Sequence, residues 1–295
     1  MIAACRRLSS LALLPLALLT GCMFTTRKLP VPKTPQVTQS VSPSVLVEQL
    51  DNRWAALDSF YATVEIQAST LKKKDGVEKD YTTFPGIIMM RKPESLRVYG
   101  RVPVIGSRMF DMVSDGTNFT LYIPSKSLVY KGANALHKHS ANTIENMRPG
   151  FFFDAMVVRG LEPGDNYMVS ADTETIEDAK KKHLIQIPEY ILSVIRSQPG
   201  SREMKPIRVI TFHRDDLMPY EQDLYDAEGN LETHVSYANY RSFNGTLYPT
   251  SVVIKRPLEE FQLMMTVEKV VQNMQLTDDQ FQIKIPDGTT LKSLE

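Results

Sequence analysis

The residue types able to do chemistry are few and scattered. His137 and His139 have a strand-like spacing that could place both imidazoles on one side of a metal ion. They sit in a polar stretch, Ala133 to Asn142, with no third ligand beside them, and a solvated loop accounts for them as well. Asp215-Asp216 and Glu259-Glu260 pair carboxylates, as a glycan-cleaving site does, but read equally as turn and surface charges. There is no Gly-x-Ser-x-Gly elbow, no His-Glu-x-x-His and no phosphate-cradling glycine loop. The expectation is a protein that is not an enzyme and holds no metal or cofactor. Its apolar residues say more. Met89-Met90 and Met264-Met265 each put one flexible, polarisable side chain on either face of a strand, among 14 Met in all. Such side chains suit a surface that repacks around varied apolar ligands, and they also fill gaps in an ordinary core.

One cysteine has a definite chemical context. Arg6 and Arg7 precede an apolar run, Leu11 to Leu19, far short of the ~20 residues that span a bilayer. Leu19-Thr20-Gly21-Cys22 ends that run. The small Thr20 and Gly21 let a peptidase reach the backbone ahead of Cys22, whose thiol can carry a diacylglycerol and whose freed amine a third chain. The segment resembles a bacterial lipobox. That resemblance implies a signal peptide over residues 1–21 and a mature chain held in the membrane by lipidation at Cys22, since two or three acyl chains anchor stably where one does not. By the enterobacterial sorting rule, Met23 in place of Asp implies the periplasmic face of the outer membrane. An ordinary secreted protein whose cleavage site happens to end in Cys is the alternative.

Lys plus Arg equals Asp plus Glu, 34 each, which leaves no electrostatic case for a nucleic-acid partner. The other cysteine, Cys5, lies in the signal segment, so the mature fold has no disulfide and depends on its own core. From 22 to 42 the chain reads as a lipidated N-terminus and a tether, within a tract from Arg27 to Pro43 that sets Pro30, Pro32, Pro35 and Pro43 among polar residues. Ser42 is placed to cap a helix whose first residue is Pro43, and Val47, Leu50, Trp54 and Leu57 give it an apolar stripe. Trp54 anchors that helix in the core or contacts a ligand.

Beyond Asp58 the period changes to two. Strands are expected at 60–69, 79–91, 96–101, 108–113, 119–123 and 127–131, with a hairpin at Asp115-Gly116 and a short apolar loop from Val102 to Gly106. Residues 143–158 read as helical around Pro149-Gly150, and Phe151 to Val158 is apolar almost all round. Further strands are expected over 167–171, 184–195, 207–212, 220–225, 232–240, 248–256 and 261–270, with Phe281, Ile283 and Ile285 alternating into a closing strand. This is a mainly β chain with a few helices. About 11–13 strands fit one incomplete, strongly curved antiparallel barrel with helices covering its concave side, a single domain over 43–295.

Pro93-Glu94-Ser95-Leu96-Arg97-Val98, Val102-Pro103-Val104-Ile105-Gly106 and Ser114-Asp115-Gly116-Thr117-Asn118-Phe119 resemble, in that order, the Lol lipoprotein carrier and receptor superfamily. Asp279 to Gly288 looks like its closing strand, and Leu57 to Gln67 fits its first helix-to-strand passage. The resemblance implies a half-barrel lidded by helices around a central apolar cavity for the acyl chains of lipoproteins or other lipids. Trp54, Phe151, Phe152, Met156, Met89, Met90, Met264 and Met265 are the candidates to line cavity or lid. In the soluble carrier an Arg just before the proline at the second strand's end latches the lid; Lys92 holds that place here, with Arg91 one residue earlier on the opposite face. In the anchored receptor an exposed Leu in a Pro-containing loop helps take over lipid, a role that Val104 and Ile105 would carry. The lipobox favours a receptor-like protein acting in transport or insertion at the outer membrane. The alternative is an anchored scaffold that docks an envelope protein through a sheet edge.

Overall fold

A computed structural model describes residues 38–72, 77–134, 148–178, 183–197, 200 and 202–294. Cys22, His137, His139 and the first half of the helical stretch at 143–158 lie outside the described residues. The chain divides into two units, one of Met1–Thr34 with Thr175–Gln186 and one of Pro35–Glu174 with Ile187–Glu295. Of the first, only the strand ends 175–178 and 183–186 are described, and the sites below belong to the second.

Helix α1 spans Pro43–Ala55, and the Ser42 hydroxyl accepts the Val45 amide at 3.4 Å, as the Ser-Pro pair predicts. Its buried residues Leu46, Val47 and Leu50 pack with Tyr190, Leu192 and Val194 of strand β9 (His183–Ser197) and Ile210 and Phe212 of β10 (Met204–His213). Just ahead of α1 the chain is already docked. Gln39 donates its amide to the Arg214 carbonyl at 2.6 Å, and the Val41 amide donates to the Tyr190 hydroxyl at 3.2 Å.

The strands are β1 Ser59–Lys72, β2 Val77–Asp80, β3 Phe84–Arg91, β4 Ser95–Arg101, β5 Arg108–Ser114, β6 Asn118–Ile123 and β7 Leu128–Ala133. After helix α2, Gly150–Met156, come β8 Asn166–Asp178, β9, β10, β11 Pro219–Tyr225, β12 Leu231–Phe243, β13 Thr246–Arg256, β14 Phe261–Gln272 and β15 Thr290–Leu294. All fifteen join one sheet in the order β15-β7-β6-β5-β4-β3-β1-β14-β13-β12-β11-β10-β9-β8, with β2 beside β1. Apart from β15, which joins β7 from the far end of the chain, each half is a meander of strands that follow one another in sequence, and the antiparallel pairing of β1 with β14 joins the halves. The sheet is not closed: β15 and β8 end the order unpaired to each other.

Period-two patterning works as expected in β1, where Phe60, Ala62, Val64 and Ile66 are buried and Tyr61, Thr63 and Glu65 are half-exposed. The expected strand 79–91 is instead two. β2 pairs Ser69 with Asp80 while β3 pairs Ile66 with Phe84, so three steps on β1 face four on the partner, and Tyr81 to Thr83 absorb the extra residue. The expected closing strand at 281–285 is not a strand. Thr277 and Gln280 form a capping box that winds Asp278–Phe281 into a 3-10 turn, and the final strand follows at β15, parallel to β7. The turn's flanks seat Leu276 and Phe281 against Ile87, Met89, Tyr61 and Tyr99, on the face of β3 and β4 opposite the main core.

Candidate functional site

Helix α2 buries five of its seven residues, Phe151, Phe152, Phe153, Ala155 and Met156. They pack among Phe60, Val64, Met90, Val98, Val252 and Met265 on one face of the sheet. Phe151 stacks on Phe152 with centroids 4.3 Å apart and meets Phe261 edge-on at 5.9 Å. A seven-residue helix leaves its last carbonyls without intrahelical donors. Three side chains of the sheet supply them. Gln222 of β11 donates to the Asp154 carbonyl at 2.8 Å, Tyr237 of β12 to that of Ala155 at 2.9 Å and Tyr248 of β13 to that of Met156 at 2.7 Å.

A charged network holds the segment that follows. Arg159 donates to the Asp154 carboxylate at 2.5 Å and reaches Glu94, in the β3–β4 turn, at 3.3 Å. Burial pushes the Asp154 carboxyl above the usual carboxylate range, and Arg159 opposes that shift. Arg208 of β10 is buried beneath, donating to the carbonyls of Arg159 and Gly160. Asp51 of α1 accepts the Leu161 amide at 2.8 Å.

The residues singled out from the sequence fall in three places. Phe151, Phe152, Met156, Met90 and Met265 meet in one cluster, and half-buried Trp54 packs on its rim, edge-on to Phe153 at 6.3 Å. Met89 lies in the small cluster on the opposite face with Leu276, and Met264 is 42% exposed. Alternation along each strand sends the two members of each Met pair to opposite faces. Lys92 donates to the Trp54 carbonyl and, at 3.5 Å, to that of Ala55, while its ammonium sits 4.1 Å from the Trp54 ring centroid. A cation at the C-terminus of α1 is favoured by the helix dipole and supplies carbonyls that the helix leaves open. Arg91 points the other way, to the Leu276 carbonyl and Asp278. Val104 and Ile105 stand apart, 107% and 77% exposed, at the tip of the β4–β5 loop.

A central cavity of acyl-chain size is not seen among the described residues. An apolar cleft of ≈ 110 Å³, lined by Leu50, Leu57, Met156, Pro219, Tyr240 and Leu247 among others, opens beside the end of α2. Ligand pockets run to ~300–1,000 Å³. Phe151, Phe152 and Phe153 are themselves part of the packed core on this face of the sheet. Glu259, expected as a turn or surface charge, lies in the turn after β13 but is buried there, against Arg256 at 2.7 Å. No group of three metal-ligating side chains occurs among the described residues, nor any helix long and apolar enough to cross a membrane.

Sequence reasoning did not find Gln222, Tyr237 and Tyr248. The available signal was a tyrosine two residues from Val235 in an alternating strand, an inward position where a hydroxyl needs a buried acceptor.

No protein-family model and no curated protein matches the chain. Solved structures do. A DUF1329 family protein from Desulfovibrio piger superposes with a TM-score of 0.52 at 15% identity, covering 81% of this chain and 95% of its own. A LolA superfamily protein from Nitrosomonas europaea superposes with a TM-score of 0.50 at 15% identity, covering 83% and 99%. The chain has a Lol-type fold.

Proposed function

We propose that the chain is a non-catalytic envelope lipoprotein, anchored through Cys22 at the periplasmic face of the outer membrane, that takes acyl chains of lipoproteins or other lipids onto the sheet face beneath α2. The observation that carries this reading is the way α2 is held. Five apolar side chains lie on an apolar sheet face, yet the helix is short, and three side-chain hydrogen bonds and one ion-pair network fasten it. Such an element can leave as a unit and uncover a large apolar surface, which a continuous strand of the sheet cannot. Lys92, on the carbonyls that end α1, keeps the first helix seated while α2 moves. Transfer then follows from differences in affinity, with no bond made or broken. Val104 and Ile105 are the residues that meet the membrane. The Lol-type fold supports this reading, as does the apolar loop.

A second reading, an anchored scaffold docking an envelope protein, has the edge strand β8 in its favour, where Tyr167 and Met168 are exposed.

Native mass spectrometry with lipid extraction, on full-length protein purified from membranes, separates the two. Co-purifying acyl lipid that is lost in Phe152→Asp and enriched in Tyr237→Phe/Tyr248→Phe is expected. Lipid-free protein in all three forms refutes the proposal.

A further inference from the structure

Beneath the Val104–Ile105 tip, β4 and β5 gather positive charge that the fold does not balance. Arg97, Tyr99 and Arg101 alternate with Leu96 and Val98, whose side chains face the α2 core, so they stand on the other face of β4. In the ladder Arg101 lies directly opposite Arg108, and Tyr99 opposite Asp111. The guanidiniums of Arg108, Arg97 and Arg101 lie 3.8, 5.6 and 5.7 Å from the centroid of the Tyr99 ring. Two of them share one carboxylate. Asp111 accepts from Arg97 at 2.9 and 2.7 Å and from Arg108 at 2.7 Å, while Arg101 makes no ion pair among the described residues.

Two features here work against stability. Like charges directly opposite in a ladder repel. In the loop that follows, Val104 holds a φ of 67°, a left-handed conformation that a β-branched side chain resists. The loop is nevertheless well defined: Ile105 donates to Pro103 at 2.7 Å, Gly106 to Val102 at 2.9 Å, and Val102 to Ser107 at 2.8 Å. Two aliphatic side chains thus stand exposed beside an arginine pair in which Arg108 shares Asp111 with Arg97 and Arg101 has no carboxylate partner among the described residues.

We propose that Arg101 and Arg108, with Tyr99 beneath them, bind the phosphodiester headgroup of an anionic phospholipid at the bilayer surface that Val104 and Ile105 enter. Guanidinium forks match phosphate oxygens in geometry and charge. A tyrosine ring is at home at headgroup depth, and apolar tips with a basic rim are the composition of interfacial anchors. The apolar tip decides between a lipid and a free phosphate, because a soluble anion has no use for exposed Val104 and Ile105. The inference takes the loop as membrane-facing, as in the reading above, and the test keeps the two apart.

The measurement is co-sedimentation of the full-length Cys22→Ala chain with phosphatidylcholine vesicles and with 7:3 phosphatidylcholine:phosphatidylglycerol vesicles. Basic residues ahead of position 38 act equally in every variant, so only differences between variants count. Arg101→Gln/Arg108→Gln should lose the preference for phosphatidylglycerol by ~30-fold and leave binding to phosphatidylcholine unchanged. Arg101→Gln, which breaks no ion pair, should lose about half of that effect on a logarithmic scale, ~5-fold, with an unchanged Tm. Val104→Ser/Ile105→Ser should weaken binding to both vesicle types. An arginine pair variant that keeps the preference overturns the headgroup site and leaves the loop reading intact. Serine variants that bind like the parent overturn the loop reading, and the arginine result then decides the headgroup site alone. Competition by millimolar inorganic phosphate as effective as that by lipid phosphate overturns the lipid assignment.

Discussion

Tyr248→Phe removes one hydroxyl from the inner face of β13 while keeping the ring against Phe60, whose centroid lies 5.1 Å away. The Met156 carbonyl then loses the buried donor that stands 2.7 Å from it. Stranding a buried acceptor costs about 1–3 kcal/mol, and about 2 kcal/mol corresponds to a ~30-fold change in an equilibrium constant. The bond is absent when α2 leaves the sheet and absent again in the unfolded chain. Both opening free energies should therefore fall by the same amount, and the gap between them should persist. Native-state hydrogen exchange resolves the two processes. The Val157 amide, bonded to the Phe153 carbonyl at 3.1 Å, reports on α2, and the amides of the β1–β14 ladder report on global unfolding. In the parent, the Val157 amide should exchange through an opening that depends weakly on denaturant and lies below the global free energy. In Tyr248→Phe it should exchange ~30-fold faster with the same weak dependence. A parent in which Val157 and the ladder share one free energy and one denaturant slope refutes the reasoning, because α2 would then be part of the global unit. So would a variant that accelerates the ladder and leaves Val157 unchanged.

Two further outcomes follow from buried charge. Glu189 of β9 faces His213 of β10 at 3.5 Å in a cleft of ≈ 390 Å³ shared with Asp172, Glu174 and Glu221. Burial first, and then Glu174, Glu221 and Asp172, push its carboxyl from 4.5 up to about 7. The folded chain thus keeps a proton that the unfolded chain releases, so this contribution to stability is complete below 4.5 and is lost as pH rises through about 7. Burial lowers the His213 imidazole, whose contribution runs the opposite way and is lost as pH falls. Glu189→Gln should match the parent in Tm at acid pH and exceed it at pH ~8; an equal difference at both would rule out the carboxyl as its source. Arg256, with 3% of its side chain exposed, donates to Glu259 at 2.7 and 3.1 Å and to the Thr233 hydroxyl at 2.8 Å. Arg256→Met leaves the Glu259 carboxylate buried and unpaired, and should lower stability by about 3–5 kcal/mol in urea unfolding, with Arg256→Met/Glu259→Leu recovering most of it. A single variant as stable as the parent would mean the pair is not buried in solution.

Much of the candidate site was legible as type and little of it as geometry. Phe151, Phe152 and Met156 announced a buried helix by being apolar on every side, and they are buried. Met89-Met90 and Met264-Met265 announced that one of each pair would face inward, without telling which. Only the register of β1 against β3 and β14 selects Met90 and Met265 for the α2 face and turns Met89 and Met264 away. Lys92 and Arg91 were visible as a pair on opposite faces, but what each would grip, the end of α1 and the Asp278 turn, lies 37 and 187 residues away in sequence.

The sequence by itself determined the local facts. A Ser42-Pro43 cap starts α1, alternation from Phe60 to Ile66 makes a strand with one buried face, and Asp115-Gly116 closes a hairpin. The cap and the hairpin rest on sterics and hydrogen bonding within a few residues, and the alternation on a period that the side chains themselves carry. Tertiary structure decided that β1 lies beside β14, that 281–285 stays outside the sheet, and that Gln222, Tyr237 and Tyr248 converge on the three last carbonyls of one short helix. Those outcomes depend on which face is covered and by what. A period of two leaves that choice open, because shifting a strand by one residue exchanges its faces without changing its pattern.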